Sequence, residues 1–245
     1  VPGCNSDREP WWFVYPHADT LKEPPLVVDN ATSGLELPPT RDIAGFHVLP
    51  LDAPRGRRMV QLLIGLALFG VSIAWAIKAS LGTNPWTVFH EGVAERTGIS
   101  IGLIITIVGF LLLSALWLLK EPLGIGTVLN VTIIGPIADL TLAVTPDFES
   151  MWARIPLLIA APILLGFGSG MYLGAGVGPG PRDGIMTALS RRGIETWKAR
   201  TAVEMTALGT GFLLGGKVGL GTVWIAIAIG PCVQFFIPWF RIDKA

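Results

Sequence analysis

Residues 176–184 read GVGPGPRDG. Four glycines and two prolines break the backbone there, and an arginine and an aspartate stand together at the break. The stretch directly follows the apolar run IPLLIAAPILLGFGSGMYLG at 155–174. Pro181 suits the first position of a helix and Gly193 suits its stop. A helix of about twelve residues spans roughly 18 Å at 1.5 Å per residue, well short of a bilayer core about 30 Å thick. Such a segment re-enters the membrane or lies at its interface. Broken backbone at membrane depth is tolerated only inside protein or beside water.

Composition makes the membrane setting plain. The chain has 245 residues, 51% hydrophobic and 15% charged, against a usual charged share of about 25%; its mean hydropathy is +0.59. Six spans are predicted, at 59–78, 100–119, 126–144, 155–173, 200–216 and 220–240. The fifth is interrupted or flanked by Arg200, Glu204 and Lys217. The lipid bilayer is therefore the first partner, and zero net charge gives no global field for nucleic acid. Cys4 and Cys232 are too few for a disulfide framework or a cysteine-built metal site.

Residues 1–58 differ from the rest, with nine of the nineteen prolines, fourteen charges and no sustained period. That composition predicts a disordered segment, and no apolar stretch follows a basic start as in a signal peptide. Either the true start is Met59, or residues 1–58 form a cytoplasmic tail with EPWWFVYP (9–16) as a docking motif.

Outward from the opening stretch, the chain repeats itself. LGTNPWTVFHEGVAERTG (81–98) matches VGPGPRDGIMTALSRRG (177–193), and LGIGTVLNVTIIGP (123–136) matches VGLGTVWIAIAIGP (218–231). Gly82 pairs with Gly178 and Pro85 with Pro181 at an offset of 96. Thr127 pairs with Thr222 and Pro136 with Pro231 at 95. The expected architecture is an all-α membrane protein of six transmembrane helices in two three-helix repeats, 59–145 and 152–240. Each has a short re-entrant or interfacial helix after its first span. Three is odd, so the second copy enters from the opposite side, a common plan for secondary transporters. Basic residues orient it. With the N-terminus inside, eleven face inward (Arg55, Arg57, Arg58, Lys120, Arg182, Arg191, Arg192, Lys198, Arg200, Arg241, Lys244) and four outward (Lys78, Arg96, Arg154, Lys217). Both termini are expected inside.

The break exposes a helix N-terminus whose free N–H groups favour anions. Arg182 adds donors, and Asp183 caps the helix or pairs with the arginine. Two readings stand: an anionic or polar substrate site, or a self-satisfied Arg–Asp cap facing the cytoplasm. The first copy has Trp86 and Thr87 at these positions, so only one copy carries the charges. Asn84 fits an N-cap before Pro85. Carboxylates at depth are candidate proton or substrate sites. Glu204 is one, with pairing to Arg200 as the alternative; Asp139, after Pro136, is another, with snorkelling as its alternative. His90 and Glu91 place a titratable pair on the first short helix, and Asn130 can hydrogen-bond across helices.

Gly166, Gly170, Gly174 and Gly178 recur every four residues as a ridge for close helix approach. The matching face in the first copy is Gly70, Ala74, Lys78 and Gly82. Gly82, Pro85 and Pro181 mark hinges, while Pro136 and Pro231 loosen the third span of each copy. No metal-ligand spacing, nucleophile elbow, dinucleotide or phosphate-loop pattern occurs, so neither a cofactor nor an enzyme is expected.

The runs LLIGLALFGVSIAWAIKASLGTNPWTVFHEGVAERTGISIG (62–102), GIGTVLN, GAGVGPGPRDGIMTALSRRG, RTAVEM and LLGGKVGLGTVWIAIAIGP resemble the YczE-like bacterial integral membrane proteins, related to the YitT group. The resemblance covers about residues 59–240, GPGPRDG being its most specific piece. It implies a multi-pass protein of the bacterial cytoplasmic membrane and no particular chemistry. The expected function is a small secondary transporter or permease for a small molecule that the sequence does not identify, an anion being one candidate. The alternative is a non-transporting accessory or scaffold for a protein partner, and a homodimer stays open. A cavity lined by both short-helix N-termini favours the first; a dry, packed interface between the copies favours the second.

Overall fold

The computed structural model of the chain describes residues 46–47, 55–121, 123–240 and 242. They form eight helices: α1 (Arg55–Ala79), α2 (Pro85–Thr97), α3 (Ile101–Leu118), α4 (Ile125–Val144), α5 (Met151–Gly174), α6 (Pro181–Arg191), α7 (Thr196–Leu214) and α8 (Leu220–Phe240). Five of them, α1, α3, α4, α5 and α8, are long and apolar enough to cross a bilayer. The predicted fifth span, 200–216, exists as helix α7, but Lys198, Arg200 and Glu204 keep it outside that set. The outward faces carry Leu111, Leu140, Phe212 and Ile227, each more than half exposed, as lipid contact requires.

The predicted short helices form where caps dictate. Asn84 Oδ1 accepts the Thr87 N–H at 3.0 Å, Pro85 opens α2, and Gly98 closes it at φ 70°. Pro181 opens α6, and Gly193 follows its end at φ 92°. Pro136 and Pro231 lie inside continuous helices α4 and α8.

The segment before Met59 is not wholly apart from the bundle. Phe46–His47 pairs in parallel with Leu123–Gly124, and α1 begins at Arg55. Arg58 is buried, donating from Nη1 to Ala175 O at 2.9 Å and from Nη2 to Ile242 O at 3.2 Å. An apolar-run count misses this, because a guanidinium that satisfies helix-end carbonyls can sit inside the packed region. The rest of the expected tail, including EPWWFVYP, lies outside the described residues.

At the centre α1 and α5 cross antiparallel. Gln61 Nε2 donates to Met171 O at 2.9 Å and Ser72 Oγ to Ala161 O at 2.7 Å. Between them a Cβ on Gly65 would meet Gly168 O at 2.7 Å, and one on Gly168 would meet Gly65 O at the same distance. Each helix also caps the other: Arg58 holds the end of α5, and Arg154 donates to Ala79 O at 2.7 Å and Ser80 O at 2.9 Å at the end of α1.

Other contacts come in matched pairs. Gly126 N–H donates to Val177 O at 2.9 Å, and Gly221 N–H to Leu81 O at 2.8 Å. Thr127 Oγ1 accepts from Gly124 N and Thr222 Oγ1 from Gly219 N, both at 3.2 Å. A Cβ on Gly70 would strike Ile137 of α4, and one on Gly166 would strike Cys232 of α8.

The glycine ridge needs correcting at one end. Gly166 and Gly170 lie against Cys232 and Phe236 of α8, and Gly174 ends α5. Gly178 is past the helix at φ 127°, against Gly124 and Thr127; Gly82, past α1, has φ 105° against Gly219 and Thr222. The four-residue spacing continues, but the helix has stopped. These two glycines serve a left-handed turn where another backbone passes.

Adding a methyl at the central crossing should be costly. Gly65→Ala or Gly168→Ala should each destabilise the protein by about 1–3 kcal/mol through overpacking. Gly209→Ala has nothing within 4 Å of the new Cβ and should be neutral or stabilising, by up to about 1 kcal/mol of helix propensity. Thermal unfolding in lipid nanodiscs checks this; equal effects at all three positions would refute the close crossing.

Candidate functional site

Two cavities adjoin near the ends of the short helices. The smaller, about 70 Å³, is lined by the N-terminal residues of α2 (Asn84, Trp86, Thr87), by His90, and by Gly180, Pro181 and Arg182 of α6. Mid-helix Phe69 of α1, Gly109 of α3 and Asn130 of α4 complete it. The larger, about 710 Å³, lies among α5, α6, α7 and α8. Asn84, Tyr172 and Arg182 line both, so these three side chains form the wall between them.

The small cavity is polar at one end. The Tyr172 hydroxyl donates to Asp183 Oδ2 at 3.3 Å, and the Arg182 guanidinium carbon stands 5.3 Å from the Phe69 ring centroid, a cation–π distance. A Cβ on Gly180 would lie 3.3 Å from Asp183 Oδ2 and 3.5 Å from both Asn130 Nδ2 and Tyr172 Oη, so three polar groups crowd that turn. Trp86 Nε1 and His90 Nδ1 are buried without a hydrogen-bond partner, a costly state for polar atoms. On α2, outside the candidate spans, burial and then the Arg182 charge lower the His90 imidazole to about 3. It is therefore neutral at pH 7.

Of the eight residues singled out in the sequence, six come together. Asn84, His90, Asn130 and Arg182 line the small cavity; Asn84, Arg182, Asp183 and Glu204 line the large one. Glu204 and Arg200 both line the large cavity, and no salt bridge within 4 Å joins them among the described residues.

Two of the eight are placed elsewhere and line neither cavity. Asp139 accepts from Ser100 Oγ at 2.6 Å and Gly102 N–H at 2.7 Å, fastening α4 to the start of α3. Glu91 Oε2 accepts from Thr83 Oγ1 at 3.3 Å and Lys217 N–H at 3.4 Å. Both carboxylates fall where free helix-end or loop N–H groups need acceptors, a demand invisible along a single helix.

The sequence reading missed Tyr172 and the capping role of Arg58 and Arg154. Tyr172 had a signal, as a polar-tipped side chain ending an apolar run. So did the arginines, which stand 96 apart as do the ends they cap, Ala79 and Ala175.

Two helix pairs differ around the large cavity. α3 packs on α4 through Gly102 against Gly135 and Gly109 against Val131. α7 packs on α2 and α6 and makes no comparable contact with α8. At the offset of 95, Gly102 corresponds to Trp197 and Gly109 to Glu204. Both side chains line the cavity.

Residues 56–238 match the model of a family of unknown function, DUF6198. The chain belongs to this family. It is 35% identical over 181 residues to an uncharacterized protein of Haemophilus influenzae, covering 72% of this chain and 81% of that one. It is 32% identical over 173 residues to the uncharacterized membrane protein YczE of Bacillus subtilis, covering 69% and 80%. YyaS of Bacillus subtilis is 26% identical over 183 residues, covering 71% and 90%. No solved structure matches the chain. Family membership and the five apolar helices make it a multi-pass membrane protein.

The placement of Asp139 separates structure from binding. Asp139→Ala should lower stability by about 0.5–2 kcal/mol, the range for a lost N-cap, while ligands of the cavities bind unchanged. Weaker binding at unchanged stability would return Asp139 to the site.

Proposed function

We propose that the protein is a small secondary transporter or permease that binds an anionic small molecule where the two short helices meet. One observation carries the reading: the N-terminal residues of α2 and α6 line one cavity, which adjoins a far larger one. Helix N-termini present N–H groups and a positive dipole end, and ligand pockets commonly hold about 300–1,000 Å³. Arg182, on the wall between the cavities, supplies the charge-assisted bond, with Asn84 and Asn130 as neutral donors. The same reading gives the protein no catalysis and no cofactor of its own.

It further takes residues 59–145 and 152–240 as inverted repeats in a bacterial cytoplasmic membrane, with both termini inside. The antiparallel crossing of α1 and α5 and the matched contacts at offsets of 95 and 96 support this. Corresponding helices that pack antiparallel are related by an axis across the helices, which is an axis in the membrane plane. α7 is then the sixth span. Its 19 residues reach about 28 Å, and Arg200 and Glu204 face the cavity instead of lipid.

Topology has a direct test. In a background lacking Cys4 and Cys232, a cysteine at Glu95 should react with an impermeant reagent from outside, and one at Ile194 from inside. Reaction of both from one side would sink the inverted arrangement.

Binding is tested by a thermal-shift screen of small organic anions on the purified full chain, followed by counterflow of the best hit in proteoliposomes. Arg182→Gln should lose about 1.5–3 kcal/mol of ligand binding, a roughly ten- to hundredfold weaker affinity. Arg182→Lys should recover part, since lysine keeps the charge without the planar fork. Unchanged affinity in Arg182→Gln with lowered stability would make GVGPGPRDG a capped hinge. Binding without counterflow would favour the scaffold reading.

A further inference from the structure

The geometry points to an amphiphilic acid as the ligand: an apolar chain in the large cavity, entering between α7 and α8, and an anionic head at its inner wall. This rests on the transporter reading and names its substrate class.

Three observations carry it. The mouth of the large cavity is formed by Met205 of α7 and by Val223 and Ile227 of α8, which are at once cavity-lining and 59%, 58% and 62% exposed. Large apolar side chains so exposed on membrane helices face acyl chains, so the cavity opens to the bilayer on this side. Deeper walls are mostly apolar, with Leu165, Ile225, Ile229 and Val233 in contact with the void. A hydrated small ion gains nothing from such walls, whereas an acyl chain exchanges one apolar surrounding for another.

The inner end is different. Arg182 stands there on the wall shared with the small cavity. Beyond it Trp86 Nε1, which can only donate, is buried without an acceptor beside the equally unpartnered Nδ1 of the 7%-exposed His90. A carboxylate or phosphate oxygen reaching past Arg182 supplies the acceptor the indole lacks. A neutral head such as an alcohol offers a weaker acceptor to the indole and gains less beside the Arg182 charge.

The opening is written into the chain. Trp197 and Glu204 replace the two glycines that let α3 close on α4. Among the described residues α3 closes on α4 and α7 does not close on α8, so a chain enters between α7 and α8.

The test uses the full chain in phosphatidylcholine nanodiscs, with melting followed on addition of laurate, dodecanol or butyrate. Laurate and dodecanol share the chain; laurate and butyrate share the head. A ligand bound only by the folded state raises its melting temperature. Laurate should raise it saturably, with dodecanol and butyrate about tenfold weaker in apparent affinity. Ala226→Phe and Met205→Phe narrow the mouth at exposed positions. Both should melt like the parent without ligand and lose the laurate shift.

Equal shifts from laurate and dodecanol would overturn the proposal by showing no head recognition. Butyrate matching laurate would also overturn it, leaving a small-anion site and the transporter reading intact. No shift from any of the three refutes it outright, as does a laurate shift that survives in whichever mouth variant folds.

Discussion

The structure depends on the crossing of α1 and α5. In lipid, helices have no hydrophobic drive to associate, so close backbone approach and polar contacts must hold them. Gly65 and Gly168 bring the two backbones together, and Arg58 and Arg154 lock the ends by taking the carbonyls that each helix leaves free. A buried guanidinium is costly unless its donors are engaged. Here both terminal nitrogens of Arg58 are engaged, though its Nε is not, and that fastening works only if the helices run antiparallel in one register. With that register set, α4 follows α1 through Gly70, and α8 follows α5 through Gly166 and Gly170.

The crossing also decides where the broken segments go. Leu81 O and Val177 O, at the breaks after α1 and α5, are taken by Gly221 and Gly126 at the starts of α8 and α4. Each turn is thereby satisfied by the other half of the chain, as irregular backbone at depth requires. The short helices then point their N-termini at one small cavity. Neither end alone makes a site. Together they line a space beside which an indole nitrogen and an imidazole nitrogen are buried without partners.

Near-matching halves do not give a symmetric molecule. Glycine at 102 and 109 lets α3 lie against α4, whereas Trp197 and Glu204, 95 residues further on, line the large cavity. α7 packs instead on α2 and α6, and a cavity of about 710 Å³ lies among α5, α6, α7 and α8.

Much of the helical plan was legible in the chain alone. Apolar runs gave the spanning helices, while Asn84, Pro85, Pro181 and the glycines at 98 and 193 bounded the short ones, because caps and breaks act over a few residues. Recurrence at 95 and 96 also named the positions that later pair. The sequence could not separate Asn130 and His90, which line a cavity, from Asp139 and Glu91, which satisfy N–H groups of a neighbouring helix and loop. All four are polar residues in apolar surroundings. Their roles depend on which backbone group or void lies opposite, across gaps of some 40 to 130 residues. The polar residues of α7 show the same limit, since only the packed helices place Arg200 and Glu204 on a cavity wall. Short-range chemistry was written along the chain; what each polar group meets was decided by the packing of two backbones at Gly65 and Gly168.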